Sequence, residues 1–183
     1  LVRLPAPDTE GVSGRFIYQS SLATGLGSTP IGLDRAEMGR ALVVVFRRAG
    51  RKIILQAENH GFRADGGGAA ETRAVRDSFA ISNIWSADVA AEEPDGAVLV
   101  DLTSFLTQDT LDIAARLKAR RQGGFRAAPA LTYADTSHVG VFPENLEFEA
   151  IQTFAADDPG PEVRAVAPDP RSITLRVHHT FVK

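Results

Sequence analysis

Alternation of apolar and polar residues, the pattern of a half-buried β-strand, recurs along much of this chain. It is clearest in two segments near the carboxyl end. Residues 145–153 alternate, with Leu146, Phe148 and Ala150 on one face. The last segment has five alternating positions on one face: Ile173, Leu175, Val177, His179 and Phe181. Both segments are predicted strands with one face in a core.

Further strands are predicted in the first half of the chain. Residues 41–47 and 51–57 are rich in Val and Ile and are separated by a short turn containing Gly50, which indicates a β-hairpin. Residues 14–24, 79–91 and 97–101 are also predicted strands. In the second of these, one face carries Trp85, Ala87 and Val89, and this pattern places Trp85 in the core.

Helical periodicity is found in two places. Residues 71–78 predict a short helix. A second helix is expected after Thr107 or Asp109, because either side chain can accept hydrogen bonds from the free amides of a first turn. Its spacing of i, i+3, i+4 and i+7 is made by Leu111, Ala114, Ala115 and the stem of Lys118. The predicted fold class is therefore α+β, a predominantly antiparallel β-sheet with one or two helices packed against it.

The chain length and the positions of proline and glycine indicate the domain organisation. Residues 1–13 contain two prolines and Gly11 and are interpreted as a linker or edge segment, and residues 14–183 as one domain. Residues 65–68 are a predicted flexible break, and residues 157–170, with four prolines, a predicted loop. The chain begins with Leu1 and stops within a strand-like pattern. We expect it to be a fragment of a larger protein.

Composition excludes several classes of function. The formal net charge is -3 with interspersed signs and no dense basic block, which argues against a nucleic-acid partner. The longest apolar run, residues 41–46, is far shorter than the ~20 residues of a membrane-spanning helix. The chain has no cysteine. Disulfide and thiolate chemistry are therefore absent.

The histidines do not form the spacing of a zinc hydrolase. Such a site needs His-Glu-x-x-His on a helix, so that both rings lie on one face. None of the four histidines, His60, His138, His178 and His179, is followed by Glu. Adjacent side chains of a strand point to opposite faces. We therefore expect His179 in the core and His178 in solvent, and we predict no metal site.

Two glutamates form the one pattern in the sequence that could indicate catalysis. Glu147 and Glu149 share the polar face of a predicted strand, roughly 7 Å apart by strand rise. That separation suits an inverting hydrolase, in which an acid and a base flank a water. The alternative is the ordinary wet face of a half-buried strand, and no catalytic or cofactor-binding residue is assigned. Glu144, Glu147 and Glu149 are candidate contacts to a neighbouring domain or a ligand.

A series of short motifs in fixed order resembles a known family. It comprises residues 16–18 (Phe-Ile-Tyr), 25–28 (Gly-Leu-Gly-Ser), 31–35 (Ile-Gly-Leu-Asp-Arg), 74–80 (Ala-Val-Arg-Asp-Ser-Phe-Ala), 99–106 (Leu-Val-Asp-Leu-Thr-Ser-Phe-Leu), 142–147 (Phe-Pro-Glu-Asn-Leu-Glu) and 177–181 (Val-His-His-Thr-Phe). The set spans roughly residues 14 to 182. It resembles a non-catalytic domain of unassigned function that precedes the catalytic domain in bacterial zinc-dependent metalloproteases of the met-zincin type.

The resemblance implies an accessory role. In that family the His-Glu-x-x-His helix and the zinc belong to a downstream catalytic domain, so the fragment itself is not an enzyme and holds no cofactor. Its expected partners are that catalytic domain and a peptide substrate, and its expected location is the cell envelope or the exterior. The alternative is a free-standing module that binds a glycan or a peptide through Trp85 or Tyr133.

Overall fold

The computed structural model describes residues 1–59, 61–62 and 68–183, so His60 and most of the predicted break at 65–68 lie outside it. The chain divides into two compact units. The first comprises residues 1–17, 42–102 and 183, and the second residues 18–41 and 103–182. The interpretation of residues 14–183 as one domain stays a prediction.

The first unit is an antiparallel sheet with one helix. Its elements are β1 (Val2–Leu4), the first part of β2 (Val12–Leu22), β3 (Leu42–Ala49), β4 (Lys52–Ala57), α1 (Ala69–Ser78), β5 (Ser82–Glu92) and β6 (Val98–Val100). The strand order is β1-β6-β5-β4-β3-β2. Because β1 pairs with β6 at the end of this order, part of the segment interpreted as a linker or edge segment is an edge strand.

The predicted elements of this unit are confirmed. Strands β3 and β4 form the expected hairpin, from Val44 opposite Ala57 to Ala49 opposite Lys52. Gly50 follows with a φ of 62°, a left-handed conformation that glycine adopts without strain. The short helix is α1, and Trp85 on β5 is 6% exposed, in the core as predicted.

The second unit is built around two long strands. Its elements are the last residues of β2, α2 (Thr103–Leu106), α3 (Ile113–Ala119), β7 (Arg126–Ala127), a 3-10 turn (Pro129–Leu131), β8 (Tyr133–Val141), β9 (Asn145–Ala155), α4 (Pro161–Val166) and β10 (Ser172–Val182). Strands follow the order β2-β10-β9, and both β7 and β8 pair with β9.

Strands β9 and β10 confirm the predicted alternation. They pair without a bulge from Ser172 opposite Ala155 to Val182 opposite Asn145. All five predicted positions of β10 are buried, and Phe148 and Ala150 of β9 lie on the same side. A core cluster covers one end of this face; it consists of Leu22, Ile31, Leu33, Leu111, Ile113, Leu117, Phe125, Phe154, Val163, Ile173, Leu175 and Val177.

The second predicted helix is present but shorter and rotated. It begins at Ile113, and its buried residues are Ile113 and Leu117, whereas Ala115 and Lys118 are exposed. The predicted face is therefore wrong for Ala115 and Lys118, whereas Leu111 and Ala114 do pack in the core. The segment from Thr107 to Asp112 forms turns, which shifts the helical phase. Asp109 still stabilises the first turn, because its carboxylate accepts hydrogen bonds from the amides of Ile113 (2.7 Å) and Ala114 (2.9 Å).

The predicted α+β class with one or two helices is wrong. The described residues form a mostly antiparallel β-structure, with 43% of residues in strands and 16% in helices, and four short α-helices rather than one or two. Helix α4 lies within residues 157–170, which were predicted to be a loop. Helices α2 and α4 have four and six residues, too few for a helical period to stand out in the sequence.

His179 is the most deeply buried polar residue of the second unit, at 0% exposure. Its Nε2 lies 3.0 Å from the carbonyl oxygen of Leu106, and its Nδ1 lies 2.9 Å from the hydroxyl of Tyr18. A carbonyl only accepts, so Nε2 carries the proton; Nδ1 then accepts from Tyr18. A neutral imidazole therefore makes a hydrogen bond with each of its two ring nitrogens. Burial lowers the pKa of His179 to about 4.

We expect the stability of the chain to fall as the pH drops from about 6.5 to about 4. The folded state keeps His179 neutral down to a pKa of about 4, whereas the unfolded chain takes up the proton near its ordinary value. Across this window the loss is on the order of 3 kcal/mol, and below it His179 contributes no further loss. Urea unfolding at a series of pH values measures the slope.

His179→Gln isolates this contribution. The variant is expected to be less stable at neutral pH, because it disturbs the bonds to Tyr18 and Leu106, but to lose the slope between pH 6.5 and 4. His138→Gln, at a half-exposed histidine of the same unit, should keep the slope. An unchanged slope in His179→Gln would contradict the assignment.

Candidate functional site

The outward face of strands β8, β9 and β10 carries a group of hydrogen-bonded polar side chains. We call it the polar cluster; its members are Asp135, His138, Glu147, Glu149, Arg176, His178 and Thr180. The alternation that buries His179 turns Arg176, His178 and Thr180 of β10 to the opposite side. In the β9–β10 register His178 stands opposite Glu149 and Thr180 opposite Glu147. The cluster is therefore a direct product of the strand pairing.

Glu147 is held at three points. His178 Nε2 lies 2.7 Å from its Oε2, and the Thr180 hydroxyl donates to the same oxygen at 2.5 Å. The Asn145 side-chain amide donates to Oε1. Since only 18% of the Glu147 side chain is exposed, the carboxylate has little access to solvent.

Glu149 belongs to a second group centred on Arg176. Arg176 Nη1 donates to Glu149 Oε2 at 2.7 Å and to Asp135 Oδ2 at 3.2 Å. The hydrogen bond to Glu149, with the nearby carboxylates, raises the pKa of Arg176. His178 Nδ1 lies 3.6 Å from Glu149 Oε1 and so bridges the two glutamates. Each carboxylate of β9 therefore faces a basic side chain of β10.

A bulge in β8 brings Asp135 and His138 into the cluster. Asp135 pairs with Glu149, but the next pair is Val139 with Phe148, so residues 136–138 are extra on the β8 side. Within the bulge the Ser137 hydroxyl donates to Asp135 Oδ1 at 2.6 Å, and His138 Nδ1 lies 2.8 Å from Asp135 Oδ2. Hydrogen bonds from Ser137, assisted by His138, lower the pKa of Asp135.

Ser137, His138 and Asp135 do not form a nucleophilic relay. A relay needs the serine on one ring nitrogen and the carboxylate on the other. Here the Ser137 hydroxyl and the Asp135 carboxylate both approach Nδ1 of His138, at 3.0 and 2.8 Å. The hydroxyl is also hydrogen-bonded to the carboxylate. This geometry does not activate the hydroxyl.

The hydrolase interpretation of Glu147 and Glu149 fits the geometry poorly. An inverting pair needs a water and a substrate between the two carboxylates. In this sheet His178 contacts both glutamates, and Arg176 binds Glu149. The arrangement is that of paired charges on the outer face of a sheet, the alternative that strand alternation predicted.

Three side chains of the polar cluster are of types that bind metal ions. Ligand atoms of Asp135, His138 and Glu149 lie within 4.8 Å of one another. However, Arg176 Nη1 is 3.2 Å from Asp135, 3.2 Å from His138 and 2.7 Å from Glu149. The guanidinium therefore holds the position of the cation, and these residues do not fit a zinc ion.

Only two of the three glutamates predicted as contact residues lie in the polar cluster. Glu147 and Glu149 lie in the cluster, whereas Glu144 is exposed in the turn between β8 and β9. His178 was expected in solvent but is about one-third exposed and paired with Glu147. Arg176 was missed, although its place on the alternating face of β10 could have indicated it. Asp135 and His138 could not be placed, because the bulge hides the period of β8.

An exposed apolar stretch follows the edge of the same unit. Tyr133, Val139, Val141 and Phe142 are 57, 49, 74 and 55% exposed. Val139 and Val141 stand opposite Phe148 and Leu146 and so lie on the core side of the sheet. Within the part of the chain that the structure describes, no strand pairs with the outer edge of β8.

If the guanidinium takes the place of a metal ion, its removal should create a metal site. We expect Arg176→Ala to bind Zn²⁺ or Co²⁺ through Asp135, His138 and Glu149, and the unsubstituted chain to bind neither there. Titration calorimetry and the visible spectrum of Co²⁺ report binding, and Arg176→Ala/Glu149→Gln is the control that should lose it. Zinc binding by the unsubstituted chain that Asp135→Asn abolishes would refute the interpretation.

None of the helices within the described residues has the length and apolar character needed to cross a bilayer.

Comparison with known proteins adds one match. No curated protein and no solved structure matches the chain. Residues 36–183, more than three-quarters of the chain, match the model of a family described as a domain of unknown function, DUF5117. The chain therefore belongs to the DUF5117 family.

Proposed function

We propose that this chain is a non-catalytic accessory domain of a bacterial zinc metalloprotease, which packs on the catalytic domain and shapes its substrate cleft. The ordered motifs between residues 16 and 181 support the metalloprotease context. The zinc and the His-Glu-x-x-His helix would belong to the catalytic domain of the same polypeptide. An envelope or extracellular location follows from the same resemblance.

The observation that carries the packing role is the uncovered core side of β8. Phe148 of β9 is buried and its ring contacts that of Phe181 at 6.2 Å between centroids. The same face continues onto Val139 and Val141, which are exposed. An apolar extension of a core face that ends in solvent is typical of a surface that another domain covers.

The polar cluster supports a non-catalytic role. Among the described residues its carboxylates are held by Arg176 and His178, and the neighbouring Ser137 is not placed for nucleophilic attack. The glycan-binding alternative loses its best anchor, because Trp85 is buried. Tyr133 remains exposed, which leaves open the peptide form of that alternative.

A paired substitution in the full-length protein tests the proposal. We expect Val139→Asp/Val141→Asp to lower proteolysis of a peptide substrate without loss of bound zinc, because charges on the core side of β8 would oppose docking of the catalytic domain. Met38→Asp, at another exposed apolar residue of the same unit (63% exposed), is the matched control and should leave proteolysis unchanged.

Two results would contradict the proposal. One is a full-length protein with no His-Glu-x-x-His motif after this domain. The other is unchanged proteolysis and an unchanged pattern of limited cleavage between the domains in the β8 variant. Circular dichroism of the variant separates a docking defect from unfolding.

A further inference from the structure

The outer edge of β8 has the form of a peptide-binding surface. The exposed side chains along β8 and the turn that follows it include Tyr133, Val139, Val141, Phe142 and Glu144. An unpaired strand edge presents a row of backbone donors and acceptors that an extended segment can match. Because β8 pairs only with β9 among the described strands, its outer edge is open to such a segment.

The charges of strands β8, β9 and β10 and of the turn after β8 favour a basic partner. Residues 133–149 and 172–182 contain four carboxylates, Asp135, Glu144, Glu147 and Glu149, against one guanidinium, Arg176. With neutral histidines, the formal charge of these two segments is therefore -3 (1 − 4), although Arg176 and His178 pair with some of the carboxylates. A segment carrying Lys or Arg would complement this surplus, and an acidic one would be repelled.

The two faces of β8 accept different side chains. On the core side, Val139 and Val141 offer apolar contact. On the other side, Gly140 stands opposite Glu147, and the Phe142 ring lies against Gly140, since a Cβ atom there would meet Phe142 Cε2 at 2.6 Å. The exposed aromatic ring of Phe142 suits a Lys or Arg side chain through cation–π contact.

We propose that the open edge of β8 binds an extended peptide segment with alternating apolar and basic residues, as an added strand. The backbone would pair with β8, the apolar residues would lie beside Val139 and Val141, and the basic residues beside Phe142 and Glu144. The identity of this peptide as substrate rests on the proposed function. Binding itself does not, because it is measured on the chain without any catalytic domain.

Fluorescence anisotropy with synthetic peptides tests the proposal. The probe is a labelled peptide of about ten residues that alternates Val and Lys, and its counterpart carries Glu in place of Lys. We expect binding of the basic peptide only, weakened by added salt. Glu144→Lys should weaken binding by about tenfold or more, whereas Asp157→Lys, at an exposed carboxylate of the same unit, should not.

N-methylated peptides distinguish strand addition from charge attraction. Methyl groups on every second amide block one edge of an extended peptide, and methyl groups on the intervening amides block the other. An added strand uses one edge, so one version should lose binding and the other should keep it. Equal binding of both versions would overturn the proposal, as would equal effects of Glu144→Lys and Asp157→Lys.

Other occupants of the edge are also outcomes of the test. A chain that sediments as a dimer, with the dimer abolished by Val141→Asp and unaffected by the basic peptide, would assign the edge to a second copy and overturn the proposal. Absence of binding would overturn it too, while leaving the protease attribution to the separate test of the full-length protein. Basic-peptide binding without a downstream His-Glu-x-x-His motif would support the edge site alone.

Discussion

The antiparallel pairing of β9 and β10 is the constraint on which the second unit depends. Each strand has 11 residues, and the register runs without a slip. A shift of one residue would turn every side chain to the other face. It would move His179 into solvent and carry Arg176 and His178 into the core, so core and polar cluster are specified by one pairing.

A histidine at the centre of an apolar face requires dedicated partners. Leu106 is the last residue of α2, so its carbonyl has no partner within the helix. It accepts from His179 and, at 3.0 Å, from the Gln152 side-chain amide. The Tyr18 hydroxyl donates to the other ring nitrogen of His179, and the Tyr18 ring packs edge-on against the Phe105 ring. Strand β2, helix α2 and the β9–β10 pair are thus joined by hydrogen bonds as well as by apolar contact.

Period two explains which parts of this structure could be predicted from sequence. Strands β9 and β10 and the burial of Trp85 and His179 follow from regular alternation, and the β3–β4 hairpin follows from its Val and Ile content and the turn at Gly50. Helices α2 and α4 were not predicted because four and six residues are too few for a helical period to stand out. The polar cluster was found in part: Glu147 and Glu149 were visible, but their partner Arg176 lies 27 residues further along the chain than Glu149, and only the register brings them together.

The bulge in β8 is the reason that the two faces of this strand could not be predicted, and it is also the origin of the surface features that suggest function. Its three extra residues, 136–138, are an odd number, so they exchange the two faces of the strand. Before the bulge Asp135 faces the polar side with Glu149, and after it Val139 faces the core side with Phe148. No single period describes such a strand.

The same exchange explains why β8 is polar at one end and apolar at the other. Asp135 contributes to the Arg176 network, whereas Val139 and Val141 extend the core face into solvent. A bulge also limits indiscriminate pairing along an open edge, because only a short regular stretch remains on either side of it. A partner must therefore match both the apolar residues and the charges of that stretch, which favours selection of a particular segment over general aggregation.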